Sequence, residues 1–136
     1  MAVTVTAKVL NEPSGADNSQ RRTIIQGTFT LSGSYVAGGF TFPWSTLQNV
    51  AGENVLIPTI DSYPTWVEVY MSIPATSGPS YAYVVLWNYS TNQFQIYGSP
   101  GTSAQGTGLE ELAAATLPTD VSGATFAFKA EFLNQD

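Results

Sequence analysis

The chain has 136 residues with ten acidic and four basic side chains, which gives a formal net charge of −6. Only 10% of the residues are charged, against a usual share of about 25%. The few scattered Lys and Arg argue against nucleic-acid binding, because phosphate backbones are bound by clustered basic side chains. Cysteine and histidine are absent, which excludes disulfides, thiolate or histidine metal sites and His-dependent triads. We therefore expect no cofactor and no metal.

The N-terminal half begins with two predicted strands. In residues 3–9 apolar side chains alternate with Thr and Lys, the pattern of a half-buried strand. Residues 11–19 are loop formers, and the alternation returns in 23–31, where Gly27 indicates a bulge or a close backbone approach. No apolar run reaches the ~18 to 20 residues that span a bilayer, and the N-terminus lacks a signal-peptide layout. We expect synthesis in the cytoplasm and no membrane association.

An aromatic segment at 40–47 is interrupted by Pro43. Proline breaks a strand pattern, so a short helical turn or a protruding loop is predicted there. Phe40, Phe42 and Trp44 are hard to bury within a sheet and are therefore candidate contacts with a partner protein. A loop folded over an open barrel end would use them in the same way.

Alternation continues through the middle of the chain. A strand is predicted at 53–60 and another at 66–73, with Val67, Val69, Met71 and Ile73 facing inward. Trp66 and Tyr70 face outward on that second strand, and they join the candidate partner-binding residues because Tyr and Trp are enriched at interfaces.

The C-terminal part contains the clearest hairpin, with strands at 81–87 and 93–97 and Asn92 suited to a left-handed turn position. A loop is predicted at 99–108. Residues 109–115 have the only helical composition, although a strand flank would fit them equally well. The last strand is predicted at 124–133, with its Phe residues on one face.

These seven or eight short strands predict an all-β fold. We expect an antiparallel β-sandwich, jelly-roll-like or a small barrel, with at most one short helix and a single domain over residues 1–136.

Paired carboxylates are the one catalytic option that the composition leaves. Glu68 and Glu131 lie on the polar faces of two predicted strands and would meet if those strands were neighbours, as a glycosidase requires. The alternative is that both glutamates are ordinary solvent-exposed residues on the outer face of a sheet, which would show the same sequence pattern. Five aromatic side chains on the predicted strands face away from the core-like Phe residues: Trp66, Tyr70, Tyr83, Trp87 and Tyr97. They would instead form a subunit interface or a sugar-binding platform, or fill a second core layer. The chain is not expected to be an enzyme.

Several segments form a set in chain order: 3–10, 21–30, 32–35, the pair Gly38-Gly39, the hairpin 87–97, Glu111, 120–122 and 126–130. Together they resemble the short β-sandwich virion proteins of tailed bacteriophages, which occur as capsid decoration or other minor structural proteins. The resemblance implies a capsid decoration or cement protein made in the host cytoplasm and located on the capsid surface. Its implied partners are the major capsid protein and copies of itself, as a trimer. The alternative is a neck, tail or receptor-binding module of the virion that binds carbohydrate.

Overall fold

The computed structural model describes residues 2–10, 22–55, 63–76, 83–98 and 109–133. Within these ranges the secondary structure is mostly antiparallel β-strand, with one 3-10 turn and one short helix. In chain order the elements are β1 (Val3–Val9), β2 (Arg22–Tyr35), a 3-10 turn (Trp44–Thr46), β3 (Trp66–Ile73), β4 (Tyr83–Asn88), β5 (Gln93–Gly98), β6 (Glu110–Glu111), β7 (Ala115–Thr116), α1 (Thr119–Ser122) and β8 (Thr125–Leu133).

The strands form two sheets. The larger has the order β1-β2-β8-β3, with β7 pairing the end of β2, and the smaller has the order β4-β5-β6. All of these strand pairs are antiparallel. β8, the last strand of the chain, lies between β2 and β3, so the first sheet is completed only by its C-terminal strand. The predicted all-β, sandwich-like fold is confirmed.

The core lies between the inner faces of the two sheets. Alternate residues of β2 and β8 are buried, and Phe29 of β2 stacks on Phe126 of β8 with ring centroids 5.4 Å apart. Phe94 and Ile96 of β5 are fully buried on the smaller sheet. Aromatic pairs of this kind contribute about 0.5–1.5 kcal/mol beyond the area they bury, so the core is largely an aromatic cluster.

The segment after β2 joins this core. Phe40 pairs with Phe94 of β5 through two backbone hydrogen bonds of 2.8 and 3.0 Å. The predicted short helical turn is confirmed as the 3-10 turn that begins at Trp44, directly after Pro43. The rings of Phe42 and Trp44 are 4.3 Å apart. Although this segment is not a regular strand, its alternate side chains therefore still point inward.

Phe40, Phe42 and Trp44 are consequently only 5%, 6% and 3% exposed. Phe42 packs edge-on against Phe29 at 5.4 Å, and Trp44 against Trp87 at 5.6 Å. The prediction that these three side chains contact a partner is wrong, because they fill the space between the sheets. The alternative, a loop folded over an open barrel end, agrees with the structure only in that the segment packs against the core.

Two features of the larger sheet depend on backbone geometry. Gly27 keeps a regular register with both of its neighbouring strands. A Cβ atom there would overlap the backbone oxygen of Lys8 and lie 2.9 Å from the Phe128 ring, so the close approach is confirmed and the bulge is not. The register of β3 shifts between Met71 and Ile73. Ile73 is therefore 57% exposed, and its predicted inward orientation is wrong.

The C-terminal predictions are largely confirmed. β4 and β5 form the predicted hairpin, and Asn92 has the positive φ of 57° that its turn position requires. Within 109–115 the backbone forms the short strand β6 and the start of β7, so the strand alternative holds there. The predicted loops at 11–19 and 99–108, and most of the predicted strand at 53–60, lie outside the described residues. None of the helices found in the described ranges is long and apolar enough to cross a membrane.

Candidate binding surface

The outer face of the larger sheet presents an unusual pair of side chains on β3. Trp66 is 52% exposed and Tyr70 is 67% exposed, as the sequence pattern predicted. They are four residues apart on one strand and so lie about 13 Å apart along it. Glu68 lies between them on the same face. A group of large exposed apolar side chains is typical of an interaction surface, so this pair makes the sheet face a candidate binding surface.

A third half-exposed aromatic adjoins β3 from the smaller sheet. Tyr89, in the turn that follows β4, is 51% exposed. Its hydroxyl oxygen accepts a hydrogen bond of 2.9 Å from the backbone N–H of Val67. We refer to Trp66, Tyr70 and Tyr89 as the aromatic strip. It follows the β3 edge of the larger sheet, where β3 lies beside β4.

The same outer face contains a groove of about 610 Å³. Its described lining comes from three strands, β2, β3 and β8, and from the residue after β1, and it consists of Leu10, Gln26, Gly27, Thr28, Glu68, Tyr70, Ser72, Ala127, Phe128 and Lys129. The volume falls within the range of about 300–1,000 Å³ that is typical of small-molecule sites. Leu10 follows β1 and Tyr70 lies on β3, at the two ends of the sheet order, and the small side chain of Ala127 on β8 lies between them.

The register of the strands arranges the groove in two rows. In the first row Gln26, Lys129 and Glu68 are directly opposite one another on β2, β8 and β3. In the second row Thr28, Ala127 and Tyr70 are aligned in the same way. Same-face rows on a strand are about 6.6–6.8 Å apart. A polar row therefore lies next to a row with an aromatic side chain at one end.

The two predicted carboxylates are indeed on neighbouring strands and on the same face. Glu68 is opposite Lys129, whereas Glu131 is opposite Trp66. Glu68 lines the groove, and Glu131 is not among its described lining residues. Within the described ranges no group of three or more metal-ligating side chains is found. The arrangement offers hydrogen-bonding groups rather than a pair of carboxylates that face one reacting atom.

The remaining outward-facing aromatics of the sequence analysis have different environments. Trp87 is buried, with its ring 4.8 Å from that of Phe94, so it belongs to the core. Tyr83 and Tyr97 are half-buried on β4 and β5. Of the five predicted contact residues, Trp66 and Tyr70 alone are exposed.

A partly buried polar network that the sequence pattern did not predict links the two sheets. The hydroxyl of Tyr35 donates a hydrogen bond of 2.5 Å to Glu111 Oε2 and accepts one of 3.2 Å from the backbone N–H of Ile96. The same carboxylate oxygen accepts from the N–H of Gly38 at 2.8 Å and from the side-chain amide of Gln95 at 3.4 Å. Burial raises the pKa of Tyr35 far above its ordinary value, and the hydrogen bond to Glu111 raises it further. This network holds the neutral phenol in place and is structural.

Comparison with known proteins found no matching family model, no matching curated protein and no matching solved structure. The function is therefore inferred from the residues of this chain and from their arrangement.

Proposed function

We propose that this chain is a virion structural protein that binds the outer surface of a capsid shell as a decoration or cement protein. The observation that carries the proposal is the exposure of Trp66 and Tyr70 on the part of β3 that pairs in regular register with β8. The virion assignment itself comes from the resemblance of the sequence segments to phage β-sandwich proteins. A shell built of the major capsid protein would be the partner, with the chain itself assembled as a trimer.

The aromatic strip supports this proposal through its chemistry. Trp and Tyr supply large contact areas with few rotatable bonds, and they dominate the binding energy of many interfaces. The strip lies on β3 and the neighbouring β4–β5 turn, which are held by strand pairing and by the bond from Val67 to Tyr89. A partner would therefore meet a preorganised surface, which lowers the entropic cost of association.

The charges on this surface also fit a protein partner whose own surface is partly polar and partly apolar. Glu68 between the two aromatics is opposite Lys129 on β8. An acid and a base that face each other add little net charge to the surface. A charge-poor interface centre avoids the desolvation cost of isolated buried charges.

The first test is quantitative mass spectrometry of purified particles from the organism that encodes the chain. A copy number equal to that of the major capsid protein, or a simple fraction of it, supports decoration of the shell. A handful of copies per particle would favour the neck or tail instead. Absence from particles would refute a virion role. Sedimentation velocity of the purified chain checks the trimer.

A second test locates the contact surface. Wild-type chain and the variants Trp66→Ala and Tyr89→Ala are added to particles that lack the protein, and the bound fraction is measured after co-sedimentation. Truncation of an interface hot spot costs about 2 kcal/mol or more, so we expect about thirtyfold weaker binding for Trp66→Ala. Val50→Ala serves as the control, because Val50 is exposed and outside the strip. Equal binding by all variants would exclude this surface.

A further inference from the structure

We infer that the groove on the outer face of the larger sheet binds a short neutral oligosaccharide. This goes beyond the proposed function, although Tyr70 belongs to both surfaces. The inference rests on the two rows of the groove, the polar row Gln26–Lys129–Glu68 and the row that ends in Tyr70.

The polar row supplies both donors and acceptors. The Lys129 ammonium group only donates, and the Glu68 carboxylate only accepts. A sugar hydroxyl can donate and accept at once, so a row of this mixed character matches a polyhydroxylated ligand. Thr28 adds a hydroxyl group to the lining. The Ser72 hydroxyl donates to the backbone oxygen of Thr125 at 3.1 Å and so adds only an acceptor.

The neighbouring row provides the apolar contact that a sugar ring also needs. Tyr70 is 67% exposed and lines the groove. The small side chain of Ala127, directly opposite on β8, leaves room for a ring beside Tyr70. The apolar C–H face of a sugar ring packs against an aromatic side chain, as other apolar groups do. With rows about 6.6–6.8 Å apart, a ring over Tyr70 brings its hydroxyls within reach of Lys129 and Glu68.

Other ligand classes fit the groove less well. An extended peptide gains its affinity from unpaired backbone groups at a sheet edge, whereas β2, β8 and β3 are paired with one another across the groove floor. An anionic ligand would meet Glu68 and a chain of net charge −6. A purely apolar ligand would bury the charged side chains of Lys129 and Glu68 without forming hydrogen bonds to them.

The test is isothermal titration calorimetry of the purified chain with a panel of neutral trisaccharides, namely maltotriose, cellotriose, xylotriose, chitotriose and mannotriose. We expect at least one of them to bind. Tyr70→Ala and Lys129→Ala should each weaken that binding at least about tenfold. Tyr63→Ala is the matched control, because Tyr63 is exposed and is not among the described lining residues. An NMR spectrum of each variant confirms that it is folded.

Three outcomes overturn the inference. They are no detectable binding by any member of the panel, binding that survives Tyr70→Ala, and tighter binding of an anionic heparin fragment than of the neutral sugars. Trp66→Ala separates the two proposals. It should weaken attachment to particles while leaving sugar binding unchanged, because Trp66 is not among the described lining residues of the groove.

Discussion

Removal of the Tyr35 hydroxyl tests whether the partly buried network between the sheets stabilises the fold. The hydroxyl donates to Glu111 at 2.5 Å and accepts from the N–H of Ile96 at 3.2 Å. A hydrogen bond to a charged group contributes about 1.5–3 kcal/mol, and a buried amide left without an acceptor costs about 1–3 kcal/mol. Glu111 retains its bonds from Gly38 and Gln95. We therefore expect Tyr35→Phe to lower the free energy of unfolding by about 2–3 kcal/mol.

Urea denaturation followed by tryptophan fluorescence measures this change. Tyr97→Phe is the control, because the Tyr97 hydroxyl donates a single bond of 3.2 Å to Gln95 in a half-buried position. We expect it to cost less than about 1 kcal/mol, as is usual for a neutral hydrogen bond. If Tyr35→Phe cost no more than the control, the network would not be a stabilising link.

The pH dependence of the same variant tests the electrostatics. Burial and the neighbouring Glu111 raise the pKa of Tyr35, whereas a tyrosine in the unfolded chain ionises near about pH 10. The stability from the neutral phenol is thus complete below that pH and is lost as the pH rises toward the folded-state pKa. The advantage of wild type over Tyr35→Phe should shrink above about pH 10, by up to about 1.4 kcal/mol per pH unit. A constant difference between about pH 8 and pH 11 would contradict the raised pKa.

Three further substitutions test the core and the backbone by urea denaturation. Trp44→Ala should cost about 3–5 kcal/mol, because it leaves a cavity between the sheets; a loss below about 1 kcal/mol would contradict its burial. Gly27→Ala should cost about 1–3 kcal/mol, since its methyl group would overlap the backbone oxygen of Lys8, and unchanged stability would contradict that close approach. Asn92→Val should cost about 1–2 kcal/mol at a φ of 57°, whereas Asn92→Gly should be nearly neutral; equal effects would argue against the left-handed turn.

Most strands of this fold could be predicted because a half-buried strand leaves a period of two in the sequence. Residues 3–9, 66–73 and 124–133 coincide with β1, β3 and β8 to within one residue. The position of β8 between β2 and β3 could not be predicted, since strand pairing depends on contacts between distant parts of the chain. The orientation of Ile73 was missed because a register shift has no periodic signal.

The candidate site was predictable only in part. Trp66 and Tyr70 alternate with inward-facing valines, so their exposure follows from the pattern of a single strand. The groove needs Gln26, Lys129 and Glu68 in one row, and that row exists only once three strands are in register. The sequence alone identifies each of these residues, but it does not show that they lie close together in the fold.

The aromatic strip follows a sheet edge, where exposed apolar side chains carry a risk of non-specific pairing between chains. Two features of β3 reduce that risk. Glu68 interrupts the apolar stretch between the aromatics, and a charge at such a position opposes edge-to-edge association. The Tyr89 hydroxyl binds the N–H of Val67, a group on the outer edge of β3. One backbone N–H of this edge is thus already bonded while the aromatic side chains remain exposed. The surface therefore favours a partner that recognises side chains over one that adds a strand.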